Sequence, residues 1–407
     1  MLFLFFYNLS WADTLDRGGD DGWREISWHE GGYVVAAGYT YTGSERDGVV
    51  RWYSPSGDVP ATAILGPGTD NAFCDVACGG HFTVAVGYTS PGTGIDAWIV
   101  GFESPGVEVW SDTINLGDAD YARAVAIREG NIYVFGDYQR PLSSSTNYFL
   151  AVYDTTGARI SIDTFNVAYY DYAEAIAISS SWIYLGGYSY IDGDYDWILI
   201  TLDPSGEIVD IDTFDWGGYD ELYDLVISPD GKIYMTGYAT IGFYERMMLV
   251  KCDSTGEILL CDTILRGGGG RGFAISLDDS GYVYATGYFS SPDGDHILWM
   301  KSTSSLEIVW EDTLFYGTDD CGYGIVGDPY GNVYVAGDGY ANTHDALLFK
   351  LSLPGGVRCT SYHEKIFLFH KEGEFYTPDG RKIKGEPPPG IYFVKEGKTL
   401  RKIMVLR

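Results

Sequence analysis

The sequence predicts an all-β protein, a seven-bladed β-propeller of four-stranded antiparallel blades. Three observations predict it: a glycine that recurs every 49 to 51 residues, an Asp-Thr pair with the same period, and a lone strand near the start of the chain. A period near 50 residues with no helical pattern is typical of propeller blades, because one such unit cannot bury both faces of its sheet alone. The marker glycines, each at the end of a short apolar run, are Gly38, Gly87, Gly136, Gly187, Gly237, Gly287 and Gly337. The Asp-Thr pairs begin at Asp13, Asp112, Asp163, Asp212, Asp262 and Asp312.

Four strands are expected in each repeat, and the fifth repeat is the clearest. Its apolar runs lie at 225–227, 233–238, 247–251 and 258–263. They are rich in β-branched and aromatic residues and are separated by turn sequences such as Ser228-Pro-Asp-Gly231. Short turns of this kind join antiparallel neighbours. The runs are nearly continuous rather than alternating, which fits strands buried on both faces between blades.

The first and last strands are expected to close the ring together. The seventh repeat ends its third strand at 346–350 and then meets Pro354-Gly-Gly356, so it lacks a fourth strand. Residues 8–15 match the fourth strand at 309–314 and have no repeat of their own. Pairing the N-terminal strand into the last blade removes an open sheet edge.

Three stretches of the blades resemble a known family. They are Asp295-His-Ile-Leu-Trp-Met-Lys301, Gly331-Asn-Val-Tyr-Val-Ala-Gly337 and the segment 196–206. They resemble the bacterial β-propeller repeat family abbreviated SBBP. The resemblance implies the propeller fold and an extracellular protein, but no chemistry, because fold alone does not give function.

The aromatic content is high, with 34 tyrosines and 11 tryptophans. Such residues are able to bind ligands through their ring faces, but most recur at matched positions of the repeats. Inter-blade packing is therefore the expected role of the set that recurs in four successive repeats. That set is Tyr184, Tyr234, Tyr284 and Tyr334.

The charge of the chain changes sign near Pro354. Residues 1–357 carry 15 Lys and Arg against 51 Asp and Glu, a net charge of −36, whereas residues 358–407 carry 11 against 6, a net charge of +5. So acidic a body repels nucleic acid and offers no basic stripe for phosphates, which excludes nucleic-acid binding. We expect a propeller domain over 9–357, a separate domain over 358–407, and a monomer.

The tail contains three predicted strands separated by turns. A turn at Asp379-Gly380, a run Pro-Gly-Ile-Tyr at 389–392 and a final strand at 402–407 resemble, in that order, the type IX secretion sorting domain. The resemblance implies a small β-sandwich that the outer-membrane translocon recognises and that is usually cleaved. The alternative is a small β-domain that only packs on the propeller.

The N-terminal segment is apolar from Met1 to Tyr7 but lacks a basic start and a small-residue cleavage site. It is also far shorter than a membrane span, so no transmembrane segment is expected. Two interpretations stay open: a truncated signal remnant over 1–8, which we favour, and an extended first strand.

No catalytic signature is present in the sequence, and the six histidines occupy different phases of the repeat. The candidate ligand-binding residues are instead acidic, one before the innermost strand of six blades. A ring of carboxylates at one mouth of the channel would concentrate cations and bind calcium. The structural alternative, which we favour, is that each accepts backbone N–H bonds in its own turn. These residues are Asp21, Asp70, Asp120, Asp171, Asp220 and Asp320.

Departures from the repeat mark two further candidates. Arg271 replaces the acidic residue in the sixth blade, where it would hold an anionic group or neutralise the ring. Asp192, Asp194 and Asp196 alternate in a connecting loop and form a candidate calcium site, although the full calcium-loop pattern is absent and a solvated turn is the alternative. Apart from calcium, no cofactor is expected.

The leading expectation for function is a secreted or surface-displayed propeller that acts as a binding or scaffold module, with an extracellular glycan or protein as ligand. The runner-up is an extracellular hydrolase or lyase of polysaccharides or peptides, with its site in the channel. A third alternative is a calcium-stabilised structural protein of the envelope.

Overall fold

The computed structural model describes residues 8–92, 94–103, 105–264, 268–341 and 343–352, and four strands of the C-terminal tail. The first strand is β1 (Asn8–Leu15). Blade 1 comprises β2 (Gly22–His29), β3 (Tyr33–Thr42), β4 (Glu45–Tyr53) and β5 (Ala61–Leu65). Blade 2 comprises β6 (Asn71–Gly79), β7 (Phe82–Thr89), β8 (Asp96–Glu103) and β9 (Val107–Ile114). Blade 3 comprises β10 (Ala119–Arg128), β11 (Asn131–Gln139), β12 (Thr146–Asp154) and β13 (Arg159–Phe165). Blade 4 comprises β14 (Asp171–Ile178), β15 (Ile183–Ile191), β16 (Asp194–Leu202) and β17 (Ile208–Phe214). Blade 5 comprises β18 (Asp220–Ile227), β19 (Ile233–Ile241), β20 (Tyr244–Cys252) and β21 (Ile258–Ile264). Blades 6 and 7 comprise β22 (Gly269–Leu277), β23 (Val283–Ser291), β24 (Gly294–Ser302) and β25 (Ile308–Phe315); β26 (Asp320–Gly327), β27 (Asn332–Tyr340) and β28 (His344–Ser352).

The sheets confirm the predicted seven-bladed propeller. Each blade is an antiparallel sheet whose strands follow chain order from the inner to the outer strand. The inner strands β2, β6, β10, β14, β18, β22 and β26 contact one another in sequence, and β26 contacts β2, so they enclose a channel. We call the end of the channel where the inner strands begin the upper mouth.

The closing strand is also confirmed. β1 pairs antiparallel with β28, with Leu15 opposite Ala346, and so supplies the fourth strand of blade 7. The carboxylate of Asp13 on β1 then pairs with Arg51 of the next blade at 3.0 Å and accepts the Tyr53 hydroxyl at 3.1 Å. The two ends of the propeller are thus joined by backbone and side-chain bonds.

The core lies between the blades. One cluster joins blades 7 and 1 through Trp23, Tyr53 and Leu348, and the corresponding clusters join the other neighbours. The packing role predicted for the four matched tyrosines is confirmed, because each is at most 2% exposed. Burial of both faces explains why the strands read as continuous apolar runs.

The tail adds strands to the edge of blade 6. Its strands are β29 (Ile366–Phe367), β30 (Glu374–Tyr376), β31 (Gly390–Glu396) and β32 (Thr399–Val405). β29 pairs parallel with β25, and the sheet continues in the order β29, β32, β31, β30. The described strands of the tail therefore continue the sheet of blade 6. Residues 1–7, in the proposed signal remnant, and the domain boundary at 357 lie outside the described residues.

In the described residues, no helix is long and apolar enough to cross a membrane.

Candidate functional site

Each inner strand carries a β-bulge opposite the marker glycine. In β2 the register shifts between Trp23 and Glu25, and an equivalent shift occurs in the other six inner strands. A Cβ atom on Gly38 would lie 2.0 Å from the carbonyl oxygen of Gly22. Only glycine allows the bulged strand to come this close. The glycine period of the sequence is therefore a requirement of the bulge.

The bulge brings two consecutive inner-strand residues to the channel. Arg24 and Glu25 are both half-buried, whereas the residues on either side of this pair are buried. The pairs 74–75 and 223–224 show the same pattern in β6 and β18. The channel therefore has two layers of side chains, and bulges are a common means of aiming side chains at a site.

The upper layer is rich in charge and aromatic rings. It comprises Arg24, Cys74, Arg123, Glu174, Tyr223, Phe273 and Tyr323. Arg24 pairs with Asp338 at 3.3 Å and lies over the Tyr323 ring at 4.2 Å. Arg123 pairs through Nε with Asp137 at 3.0 Å. Sequence reasoning missed these residues, although Arg24-Glu25 is an unusual charged pair inside an apolar run.

Glu174 is the acidic side chain among the seven residues of this layer. Burial raises its pKa to about 8; the Arg123 guanidinium opposes that change, and the carboxylates of Asp137 and Glu221 add to it. In the described part of the chain no donor forms a hydrogen bond with its carboxylate. Glu174 is therefore largely protonated at neutral pH and is able to donate a proton.

The lower layer holds three acidic side chains. Asp75 accepts the Val125 N–H of the next blade at 2.7 Å, and Asp224 accepts the Ile275 N–H in the same way, also at 2.7 Å. Burial raises the pKa of Asp75 to about 6 and that of Asp224 to about 8. Burial, then the charges of Asp224 and Asp75, raises the pKa of Glu25 well above its usual value. Asp75 and Asp224 thus tie neighbouring blades together, and all three carboxyl groups of this layer keep their protons to a higher pH than free ones.

A chain of tyrosines leads from the surface into the upper mouth. Tyr169 and Tyr219 are about half exposed, at 54% and 51%. From Tyr219 the ring centroids are 5.7 Å to Tyr195, 5.3 Å from there to Tyr188, and 6.5 Å on to Tyr223 in the channel. The mouth therefore presents a connected aromatic surface with charged groups at its base.

Most aspartates of the predicted acidic ring accept hydrogen bonds within their own turns. Asp21 accepts the Arg17 N–H at 2.8 Å and the Thr40 hydroxyl at 2.6 Å. At the other buried positions of the ring the aspartate likewise accepts backbone N–H groups of the preceding loop. These are the bonds that the structural alternative predicted. The members with such bonds are Asp21, Asp120, Asp171, Asp220 and Asp320.

Asp70 differs from the rest of the ring. Its side chain is 45% exposed and pairs with Arg46 at 2.6 Å. The buried turn position of that blade belongs to Asn71, whose Oδ1 accepts the Gly68 N–H at 3.0 Å and the Thr89 hydroxyl at 2.6 Å. The sequence pattern is thus one residue out of register in this blade.

Arg271 is held by acidic neighbours. Its guanidinium donates to Glu245 through Nε and Nη2, each at 2.6 Å, and lies 3.7 Å from Glu221. It also lies over the Tyr238 ring at 4.1 Å. Arg271 therefore neutralises Glu245 and lies near Glu221, and neither of them belongs to the predicted aspartate ring.

The loop predicted to bind calcium places one of its three aspartates in a different acidic cluster. Asp192 lies in the turn between β15 and β16, and Asp194 is the first residue of β16. Asp196 lies on β16, and one carboxylate oxygen each of Asp196, Asp215 and Asp220 lie within 4.8 Å of one another. Burial, then the neighbouring carboxylates, raises the pKa of Asp196 to about 6.

The chain resembles known proteins in its fold. No protein-family model and no curated protein matches the chain. Solved structures do match. Sqt1 of Chaetomium thermophilum, in a crystal structure bound to the N-terminus of the ribosomal protein L10, has a TM-score of 0.50 and 12% identity, over 84% of this chain and 99% of that chain. A putative 6-phosphogluconolactonase from Bacteroides uniformis has a TM-score of 0.49 and 12% identity, over 76% and 92%.

The chain is a seven-bladed β-propeller. At identities this low the likeness to both structures concerns the fold alone, and the chemistry must be argued from this chain's own residues.

Proposed function

We propose that this propeller is a binding module that holds a polypeptide segment at its upper mouth. The observation that carries the proposal is the connected tyrosine surface from Tyr219 to Tyr223, with Arg24 and Arg123 at the base of the mouth. Tyrosine and arginine dominate the binding energy of protein interfaces. Tyrosine also supplies a large contact area at a low cost in side-chain entropy.

The geometry of the mouth favours a partner with both apolar and polar groups. The rings offer apolar faces, while Glu174 and the two paired arginines lie below them in the channel. A peptide that inserts one side chain into the channel would contact both layers. The aromatic rings are held by their neighbours before a partner arrives, which limits the entropy lost on binding.

The test is selection of peptides from a random display library on the purified propeller, followed by titration of the selected peptides. A Tyr169→Ser/Tyr219→Ser double variant should weaken binding at least tenfold. Tyr330→Ser is the matched control, because Tyr330 is 78% exposed in the turn between β26 and β27, at the opposite end of the blades. Equal affinity of the two variants would contradict the proposal.

A second candidate function is acid–base catalysis in the channel, as in the hydrolase or lyase alternative. The observation that favours it is Glu174, which is protonated near neutral pH, together with the nearby carboxylate of Glu221. A carboxyl group with a raised pKa is a candidate general acid for such chemistry. Release of reducing ends or new amines from polysaccharide and peptide mixtures should then be lost in Glu174→Gln. Activity equal to that of wild type would remove this candidate.

We also propose that the protein is exported to the cell surface or medium through its tail, by the type IX secretion translocon. The motif resemblance over 379–407 supports this. The strand positions also support it, because β31 overlaps the Pro-Gly-Ile-Tyr run in sequence and β32 overlaps the final predicted strand. Intact mass of the protein in cells, on their surface and in the medium tests it. A medium species ending near residues 354–359 is expected, whereas full-length protein confined to the cell would contradict export.

A further inference from the structure

The acidic cluster between blades 4 and 5 has an unusual feature, which is a buried carboxylate oxygen without a donor among the described residues. Asp196 is 4% exposed, and its Oδ1 has no hydrogen-bond partner in the part of the chain that the structure describes. Asp215 and Asp220 point carboxylate oxygens at the same place, within 4.8 Å of each other and of Asp196. A buried, unpaired carboxylate oxygen beside two further carboxylates is costly unless a cation is present.

In two other blades a carboxylate at the same position is satisfied by a neutral donor. Asp96 and Asp345 occupy the position of Asp196 at the start of the third strand. Asp96 accepts the amide of Asn115 at 2.7 Å, and Asp345 accepts the hydroxyl of Tyr316. A neutral donor therefore stabilises the carboxylate at both of these junctions.

At the junction of blades 4 and 5 the amide donor is replaced by another acid. Asn115 lies five residues before Asp120, and Asp215 lies five residues before Asp220, so the two residues are equivalent. Within the described residues, no lysine or arginine pairs with Asp196, Asp215 or Asp220. Three carboxylates thus converge at this junction, whereas Asp96 and Asp345 each accept a bond from a neutral donor.

We propose that Asp196, Asp215 and Asp220 form a calcium site that fastens blade 4 to blade 5. Calcium takes six to eight oxygen ligands in irregular geometry, including carboxylates and water. Asp196 contributes from β16 of blade 4, Asp215 from the connection after β17, and Asp220 from the start of β18 in blade 5. The cation would supply the positive partner that Asp196 Oδ1 lacks.

The site differs from the loop site expected from the sequence. Of the predicted trio, only Asp196 is a ligand, and its partners come from a segment about twenty residues further along the chain. Asp220 also retains its turn role, since it accepts the Trp216 N–H at 2.8 Å and the Thr240 N–H at 3.0 Å. The backbone thus fixes the position of one ligand before calcium binds.

The experiment uses the full chain after treatment with a chelator, titrated with calcium chloride alone. We expect a saturable rise in melting temperature, because a ligand that binds only the folded state stabilises it. Terbium should bind in its place and show emission sensitised by Trp216, which adjoins Asp215 in the sequence. Isothermal titration should give one calcium ion per chain.

The decisive variant is Asp215→Asn, which recreates the arrangement at Asn115 and is therefore compatible with folding. It should lose the calcium-dependent rise and the terbium signal. The matched control is Asp96→Asn, whose melting temperature should still rise with calcium as in wild type. The proposal is overturned if the wild type shows no shift up to about 10 mM calcium, well above the affinity range of extracellular calcium modules. It is equally overturned if Asp215→Asn keeps the full shift.

Discussion

Replacing Glu174 by glutamine should stabilise the propeller, and the gain should grow with pH. Burial raises the pKa of Glu174 to about 8, whereas its ordinary value is 4.5. Each pH unit between two such values corresponds to about 1.4 kcal/mol. Because the folded state binds the Glu174 proton more tightly than the unfolded state does, this carboxyl lowers the free energy of unfolding by up to about 4 kcal/mol at pH 8. Because Glu174 is only half-buried, solvent screens part of this cost, and we expect a gain of about 2 kcal/mol in the glutamine variant.

The sign follows from proton binding. Between pH 4.5 and 8 the folded state keeps a proton on Glu174 that the unfolded state has lost, so wild-type stability falls as pH rises through this range. Below pH 4.5 both states are protonated and the glutamine variant gains nothing. Above pH 8 the difference stops growing.

Urea unfolding at pH 5, 6.5 and 8 measures this effect. The matched control is Glu207→Gln, because Glu207 is exposed and should show no pH-dependent difference from wild type. A Glu174→Gln variant that is destabilised, or whose gain is the same at all three pH values, would refute the assignment of a raised pKa to this carboxyl.

Three further variants test the fold. Deleting residues 1–15 removes β1 and should lower the melting temperature sharply, whereas deleting 1–7 keeps β1 and should not; equal melts for the two would contradict the closure of blade 7. Gly38→Ala should lower the free energy of unfolding by more than about 3 kcal/mol, because its Cβ would clash with the Gly22 carbonyl. Gly43→Ala, in an open turn, should lower it by about 1 kcal/mol. Chemical denaturation of the two variants measures the difference. Tyr334→Phe should cost about 2 kcal/mol because it removes the 3.0 Å bond to the buried Asp328 carboxylate, and Tyr330→Phe, at an exposed site, should be neutral in the same assay.

Periodic features could be predicted from the sequence because each blade repeats the same physical requirement. The marker glycines repeat because every inner strand has a bulge, and Tyr184 and its equivalents repeat because each gap between blades needs a large ring. The closure by β1 followed from counting strands. These features depend on local geometry, which a single chain records once in each blade.

The channel residues could not be predicted in the same way. Arg24, Arg123 and Glu174 lie in different blades and meet only because the inner strands surround one axis. The bulge also changes which residue faces the channel, so a simple alternation assigns the wrong side. The approach of Asp215 to Asp196 could not be predicted because Asp215 lies in the connection after β17, and the acidic loop at 192–196 was the more obvious pattern.

The pairing of β1 with β28 also determines when the molecule can be completed. Asn8 lies opposite Ser352, so almost the whole propeller must be synthesised before its first strand finds a partner. Blades 1 to 6 consist of consecutive strands and can form as the chain emerges, but blade 7 has to wait. Contacts between residues so distant in sequence form slowly, and unpaired strand edges are prone to aggregation meanwhile. A chain interrupted before β28 would therefore leave β1 and β27 with open edges, which makes synthesis of β28 the step on which closure of the ring depends.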